Sequence, residues 1–403
     1  MDAFAILSER GFVQQCTGAE TLRSQLSAGP VTFYVGFDPT GDSLHAGHLV
    51  QVMAMGWLQR CGHRPVAVVG GGTARVGDPS GKTEARPLLD ADAIARNSAA
   101  LRTQLGRFLV LDDVHGLVED NASWLLGLGY IDFLREIGRH FSVNKMLAME
   151  AYRVRLEKGL SFLEFNYQLL QAYDYLVLYD RHQCRLQVGG DDQWGNILAG
   201  TDLIRRMRSA DVNGLTTPLL VTASGAKMGK TATGALWLDP NRVSPFEWYQ
   251  YWINVDDRDV GRLLRLYTFL PMDEVLRLES LHGAESREAK RVLAHHATVL
   301  AHGEVAALEA GVAAAAMVAG GATADMAEVT SPRSGSLADC LVEAGVAKSR
   351  SEGRRLIEGG GVRIDGVRVE NPHTLLRDVV HSGRAAVVRV GKARIFRLAL
   401  TDF

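Results

Sequence analysis

No apolar run in this chain approaches the ~20 residues that would cross a bilayer as a helix. The first 25 residues also lack a basic stretch followed by an apolar core, so no secretory leader and no membrane partner are expected. Cysteine is scarce: Cys16, Cys61, Cys184 and Cys340 lie far apart, with no CxxC pair. Such spacing supplies neither a disulfide framework nor a zinc ribbon, so reduced thiols, a cytoplasmic location and no metal site are expected. Neither charge predominates, with 44 Lys/Arg against 46 Asp/Glu. The balance hides an asymmetry: residues 333–403 hold thirteen basic and eight acidic residues, a surplus of +5 that leaves −7 on the remainder. A basic appendage on an acidic body is the pattern of a protein whose tail meets a polyanion.

What is present is enough chain, 403 residues, for two or three domains. Residues 31–37, 66–70, 107–111 and 185–189 read as short apolar strands separated by helical patterns. That alternation predicts an α/β fold with a doubly wound, Rossmann-like parallel sheet over residues 1–222, interrupted by a helical insertion over 112–160. Ligands of such sheets sit beyond the carboxyl ends of the strands. A loop and connection occupy 223–240, and 241–318 reads as helical throughout. A small-residue linker over 319–335 precedes a compact α+β tail, 336–403.

The richest stretch is YVGFDPTGDSLHAGH, Tyr34–His48. A strand runs into a Pro/Gly turn that delivers His45 and His48 to the start of a helix expected over Leu44–Cys61. Spacing of three puts both imidazoles on one face. A helix start presents unpaired N–H groups and suits a polyphosphate. Gly47 leaves the backbone between the histidines bare enough for a flat base. Two histidines at a helix start also serve as caps, as packing groups or as a metal pair. About 180 residues later, ASGAKMGKT (Ala223–Thr231) sets two lysines three apart in a small-residue loop. It can close over phosphates and neutralise a leaving group, or it can be a solvated turn.

In the apolar helix expected over Ser161–Leu178, Tyr167, Gln171 and Asp174 fall on one face. Such a stripe faces water or a small polar ligand. In Gly189-Gly-Asp-Asp-Gln193 the glycines permit close approach of a ligand to the backbone, while the paired carboxylates admit a metal as the alternative. Gly77–Arg86, GDPSGKTEAR, is one residue out of register for a Walker loop. Its Lys82 and Arg86 are either cations for pyrophosphate or an exposed surface loop.

Taken together, HAGH and KMGKT resemble the HIGH and KMSKS signatures of class I aminoacyl-tRNA synthetases. With GDPSGKTEAR, YQLLQAYD (Tyr167–Asp174) and GGDDQWGN (Gly189–Asn196), the resemblance narrows to bacterial-type tyrosyl-tRNA synthetases over essentially the whole chain. The tail resembles an S4 RNA-binding domain: two helices, then a VRIDG hairpin in which Asp365-Gly366 makes the turn. A solvated helix with i,i+4 pairs is the plainer reading of the tail.

The resemblance implies a role for each site residue. Tyr34 and Asp174 hold the phenol of L-tyrosine, and Asp78, Tyr167 and Gln171 hold its ammonium. Gln193 meets the reacting carboxylate or the α-phosphate region. Gly36, Asp38, Gly47, Gly190 and Asp192 bind ATP, which arrives with Mg2+. Thr40 and His45 contact the outer phosphates, and His48 holds the ribose region. Lys82, Arg86, Lys227, Lys230 and Thr231 meet the pyrophosphate. Arg350, Arg354, Arg355 and Arg363 face tRNA(Tyr) phosphates. The family resemblance also implies a homodimer formed through the insertion. Asp191 stands where the family usually has Ser, and it is expected to point away from the triphosphate. Three rivals share parts of this pattern: tryptophanyl-tRNA synthetases, other HxGH adenylyltransferases, and a catalytically inert RNA-binding relative.

Overall fold

The computed structural model describes residues 2–81, 89–223, 228–231, 234–318, 328–365, 367–380, 386–391 and 394–401. The chain forms two compact units, Met1–Asp239 with Gly261–Leu276, and Pro240–Val260 with Arg277–Phe403. No helix among the described residues is long and apolar enough to cross a membrane.

The first unit is built on six strands: β1 (Gln15–Cys16), β2 (Thr32–Phe37), β3 (Arg64–Val69), β4 (Leu117–Asp120), β5 (Cys184–Gly190) and β6 (Asn213–Thr217). Their order is β1-β6-β5-β2-β3-β4. All neighbours are parallel except the edge pair β1/β6. The chain leaves β2 toward β3 on one side, and β5 lies on the other. The carboxyl ends of β2 and β5 therefore frame the crevice where the winding reverses. Both strands are nearly buried, as a sheet covered on two faces demands.

The expected strand at 107–111 is not a strand. Arg107, Phe108 and Leu109 continue the end of the helix Ala91–Leu105 as turns, with amide bonds back to Gln104 and Leu105. The Gln59 side chain takes the Val110 amide at 3.0 Å. The fourth strand comes ten residues later as β4, beside β3. The insertion consequently starts after β4 rather than at 112, and its helices run from Ala122 to Leu156. The helix expected over Ser161–Leu178 is two, Phe162–Phe165 and Tyr167–His182. A Ser161/Glu164 capping box starts the first, and a buried Arg155–Glu164 pair at 3.1 Å ties it to the preceding helix.

Residues 261–276, expected with the helical stretch 241–318, cluster with the first unit. The Arg10 guanidinium explains it: it lies 3.9 Å over the Trp57 ring and donates to the carbonyls of Arg265 and Thr268, each at 3.2 Å. Tyr267 donates to the Ala46 carbonyl at 2.7 Å, anchoring this segment under the start of the histidine-capped helix.

After β7 (Lys230–Thr231) and β8 (Gly234–Ala235), which pair with each other, the second unit holds a helical part and a five-stranded sheet. Its strands are β9 (Glu328–Pro332), β10 (Val362–Ile364), β11 (Val367–Val369), β12 (Ala386–Val390) and β13 (Arg394–Thr401), in the order β11-β10-β12-β13-β9. Part of the stretch expected as a linker over 319–335 is therefore a strand, Glu328–Pro332. Residues 328–332 pair in parallel with β13, Val329 opposite Leu398, and Pro332, which has no N–H to give, is the last residue of the strand. Residues 319–327 lie outside the described residues. The helices Leu337–Glu343 and Arg350–Glu358 pack closely because Gly353 carries no Cβ, which would sit 3.0 Å from the Ala338 carbonyl oxygen. Ser349 caps the second helix through the Glu352 amide at 3.3 Å.

Candidate active site

The two histidines cap their helix, Ala46–Arg60. Nδ1 of His45 accepts from the Gly47 amide at 3.1 Å, and Nδ1 of His48 accepts from the His45 amide at 3.3 Å. Their rings stack at 3.8 Å and 14°. With Nδ1 accepting, the proton of each neutral ring sits on Nε2, which is thereby set to donate. Gly47 is required here: a Cβ would lie 2.9 Å from Cε1 of His45.

The second signature is stitched to the first. Ala46 donates to Leu236 at 2.9 Å, Leu238 to Leu44 at 2.8 Å, and Leu236 to Gly229 at 2.7 Å. Gly229 adopts φ +79°, which favours glycine, and its Cβ position is 3.5 Å from the Ala46 methyl. Lys230 and Thr231 are placed as the backbone of β7. Lys82, Arg86 and Lys227 lie outside the described residues.

A cavity of about 200 Å³ opens at the carboxyl ends of β2 and β5. Tyr34, Asp78, Tyr167, Gln171, Asp174 and Gln193 all line it, and so do Gly36, Asp38, Thr40, His48, Gly190 and Asp192. The polar stripe of Tyr167–His182 thus faces a cavity. His45 and Gly47 stand beside it at the helix start.

Hydrogen bonds fix most of these groups. Asp174 accepts from Asn121 Nδ2 at 2.9 Å and from Trp124 Nε1 at 2.7 Å. Asn121 also takes the Gly72 amide at 2.8 Å and donates to Thr73 Oγ1 at 3.0 Å. Asp38, which the resemblance groups with the nucleotide, receives the Thr73 hydroxyl on Oδ1 and the Tyr167 hydroxyl on Oδ2, both at 2.7 Å. Its carboxylate therefore belongs to the network behind the polar stripe. A Cβ at Gly70 would lie 2.0 Å from that carboxylate, so only glycine fits there. Asp78 takes the Ser80 amide at 2.9 Å and the Gln193 amide group at 2.7 Å. Asn196 Nδ2 lies 3.1 Å from both Gln171 Oε1 and Gln193 Oε1. Asn121, Trp124, Thr73 and Asn196, which hold the cavity groups in place, were not singled out from the sequence.

Against this saturation, the Tyr34 hydroxyl is buried with no partner among the described residues. Burial and the nearby Asp174 push its pKa well up. Asp174 itself is pushed up to about 7, chiefly by burial and against the pull of its Asn121 and Trp124 donors. The folded chain thus holds a proton that the unfolded chain releases near the ordinary value of 3.8. The stability tied to that proton is present at acid pH and is lost as pH rises to the folded value. Thermal unfolding of the ligand-free protein from about pH 4 to about pH 8 is expected to show Tm declining up to about 7 and levelling above it. In Asp174→Asn this component should vanish. Parallel Tm profiles for the two proteins would remove Asp174 as its source.

In the tail, Arg350, Arg354, Arg355 and Arg363 are all exposed. Arg350 also forms an ion pair with Asp339 across the two helices.

The sequence matches the family described as tRNA synthetases class I (W and Y) over residues 26–319, and the S4 domain over residues 337–378. It is 49% identical over 406 residues to the tyrosine–tRNA ligase of Caldanaerobacter subterraneus subsp. tengcongensis, covering 100% of both chains. It is 48% identical over 405 residues to that of Clostridium tetani, covering 99% of each. Among solved structures, a C-terminally truncated mitochondrial tyrosyl-tRNA synthetase of Aspergillus nidulans superposes with TM-score 0.71 at 29% identity, over 78% of this chain and 94% of that one. The counterpart from Coccidioides posadasii gives 0.67 at 31% identity, over 77% and 91%. A cavity with an unmet phenol hydroxyl, two stitched class I signatures and full-length likeness to these ligases agree: the chain belongs to the class I aminoacyl-tRNA synthetases, among the tyrosine–tRNA ligases, which use ATP to join tyrosine to tRNA.

Proposed function

We propose that the cavity holds L-tyrosine and ATP together, and that these residues carry out its activation. The observation that carries this reading is the unpartnered, buried Tyr34 hydroxyl in the same cavity as the buried Asp174 carboxylate. A substrate phenol can meet both: it accepts from the Tyr34 hydroxyl and donates one further hydrogen bond to Asp174. At the other end of the stripe, Asp78, Gln171 Oε1 and the Tyr167 oxygen offer acceptors to an ammonium. Gln193, tied to Asp78, reaches the carboxylate.

ATP enters as its magnesium complex. Asp192 takes the ribose hydroxyls, with Gly36, Gly47 and Gly190 letting the nucleotide near the backbone. The tyrosine carboxylate attacks the α-phosphorus in line, and pyrophosphate leaves. The carboxylate is already ionised at neutral pH, so no general base is needed, and no protein residue becomes covalently attached. The work is positioning and charge stabilisation. His45 donates from Nε2 to the outer phosphates, with Thr40 beside it, His48 donates from Nε2 at the ribose, and Lys82, Arg86, Lys227, Lys230 and Thr231 complete the pyrophosphate site. Tyrosine then passes to the terminal ribose of tRNA(Tyr).

Arg354, Arg355 and Arg363, with Arg350 once released from Asp339, supply phosphate contacts for that tRNA. A homodimer is part of the same reading. Leu126, Tyr130, Ile131 and Val143 on the helical insertion, and Phe162 just after it, are each more than half exposed, an apolar surplus that a second copy would cover. A cytoplasmic site of action follows from where tRNA is charged.

Pyrophosphate exchange into ATP, run across the twenty amino acids, tests the reading: tyrosine alone should support it. Asp174→Asn should lower the tyrosine-over-phenylalanine ratio of kcat/KM by at least about tenfold, because a hydrogen bond to a charged acceptor is worth about 1.5–3 kcal/mol. A ratio unchanged in the folded variant would separate Asp174 from the substrate side chain.

A further inference from the structure

Asp191 takes no part in the cavity. It opens the short turn Asp191–Gln193 after β5, and its side chain reaches the opposite way, toward the sheet edge. Oδ1 accepts from the Gln15 side-chain amide at 2.7 Å and from the Thr216 hydroxyl at 2.8 Å. The Thr216 oxygen in turn accepts from the Gln15 backbone amide at 3.1 Å. The three residues close a ring across β1, β6 and the turn. Thr216 is fully buried, and Gln15 and Asp191 are half-buried. Both donors to the carboxylate are neutral, so its charge strengthens each bond.

The turn matters because it carries two cavity residues. Asp192 and Gln193, directly after Asp191, face the cavity. Space around Asp192 is tight. A Cβ on Gly190 would lie 2.7 Å from its Oδ1, and one on Gly81 would lie 2.9 Å from its Oδ2. Gln193 must meet both Asp78 and Asn196. A small rotation of the turn would misplace both side chains. Backbone pairing of Gly189 and Gly190 with Thr216 and Thr217 fixes the strand, yet beyond Gly190 the pairing ends.

We infer that Asp191 is a positioning residue for the nucleotide half of the reaction. By clamping the turn to Thr216 and to the short edge strand β1, it fixes Asp192 at the ribose and Gln193 at the carboxylate that attacks the α-phosphorus. The inference rests on the assignment of Asp192 and Gln193 to the substrates. It also gives the antiparallel edge strand a function, since Gln15 contributes both backbone and side chain to the clamp.

The test is pyrophosphate exchange and equilibrium tyrosine binding in Asp191→Ala, Asp191→Asn, Gln15→Ala, the double variant of Asp191→Ala with Gln15→Ala, and Asp192→Ala, each checked by thermal unfolding. Asp191→Ala should raise KM for ATP and lower kcat, together about tenfold or more, because misplacement of about 1 Å costs up to about a hundredfold. Its tyrosine Kd, set largely at Tyr34 and Asp174, should move less than about twofold. Asparagine keeps an acceptor oxygen and should recover most of the loss. Gln15→Ala should reproduce part of it, and the double variant should be no worse than Asp191→Ala alone. The inference is overturned by unchanged kinetics in Asp191→Ala, by equal losses for ATP and tyrosine that track a fall in Tm, or by no recovery in Asp191→Asn. If Asp192→Ala cripples exchange while Asp191→Ala does not, the positioning role alone fails. If Asp192→Ala is also silent, the assignment of the nucleotide site fails with it.

Discussion

Replacing His45 with alanine is expected to slow tyrosyl-adenylate formation by about 10²–10³-fold, the loss typical of one pre-placed donor aimed at developing charge. Tyrosine affinity should stay near that of the parent, because the proposed phenol and ammonium sites lie within the cavity while His45 stands at the helix start. The side chain has a second duty. His45 is the N-cap of Ala46–Arg60, accepting from Gly47, and loss of a cap costs about 1 kcal/mol. Asparagine separates the two duties. It is among the best N-caps but is too short to present a donor where the imidazole Nε2 stands. His45→Asn should therefore unfold at close to the parental Tm and react as slowly as His45→Ala. Rapid-quench measurement of the forward rate constant, with tyrosine binding measured separately, distinguishes the outcomes. A rate restored by asparagine would make His45 a structural cap with no part in phosphate chemistry. A collapse of tyrosine affinity with the forward rate preserved would misplace it altogether.

The legibility of this site in the sequence depends on where its parts sit along the chain. Local patterns were readable. The three- and four-residue spacings of His45/His48 and Tyr167/Gln171/Asp174 fix helix faces whatever the tertiary structure does, and those residues converge on one cavity or its rim. Long-range stitching was not readable. Nothing in Leu236 or Leu238 announces that their backbones pair with Ala46 and Leu44.

The missed residues share a cause. An apolar run of four or five residues does not distinguish a strand from the end of a helix, and reading 107–111 as a strand hid β4 at Leu117–Asp120. Asn121 is the first residue beyond that strand, at the carboxyl end where such sheets bind ligands. With β4 placed correctly, Asn121 and Trp124 would have been candidates on position alone. Asp38 differs: its assignment by resemblance does not tell which neighbours share its carboxylate, and only the geometry sets it between Thr73 and Tyr167. The limits of the linker were hidden for the same reason as β4. Glu328–Pro332 has no pattern of its own and becomes a strand only because β13 is there to pair with it.

The pairing of β9 with β13 decides how the tail must be removed. Ending the chain at residue 332 would leave β9 without β13, exposing Val329 and the buried Ser331. It would also break the contact of the Ser331 hydroxyl with Glu343. Ending it after Val318, at the close of the helix Glu304–Val318, removes the whole five-stranded unit together with its own core, Leu337, Leu341, Ile357, Val388 and Leu398 among others. Among the described residues it cuts the ion pair of Arg397 with Glu309 at 2.8 Å, which is partly exposed and worth at most about 1 kcal/mol. This truncated chain is expected to catalyse pyrophosphate exchange at close to the full-length rate and to lose most of its ability to charge tRNA. The surplus of +5 on residues 333–403 and the exposed Arg350, Arg354, Arg355 and Arg363 are the reason. If all four contact phosphates, the slope of log affinity for tRNA against log salt should flatten by about 3 to 4, since each neutralised phosphate contributes about 0.9 on duplex and about 0.7 on single strands. Titrating tRNA binding across salt in both chains, alongside exchange and aminoacylation, reads each part separately. Equal loss of both activities in a folded truncation would make the tail a support for the catalytic unit. Retention of both, with the salt slope unchanged, would mean that its arginines face only water.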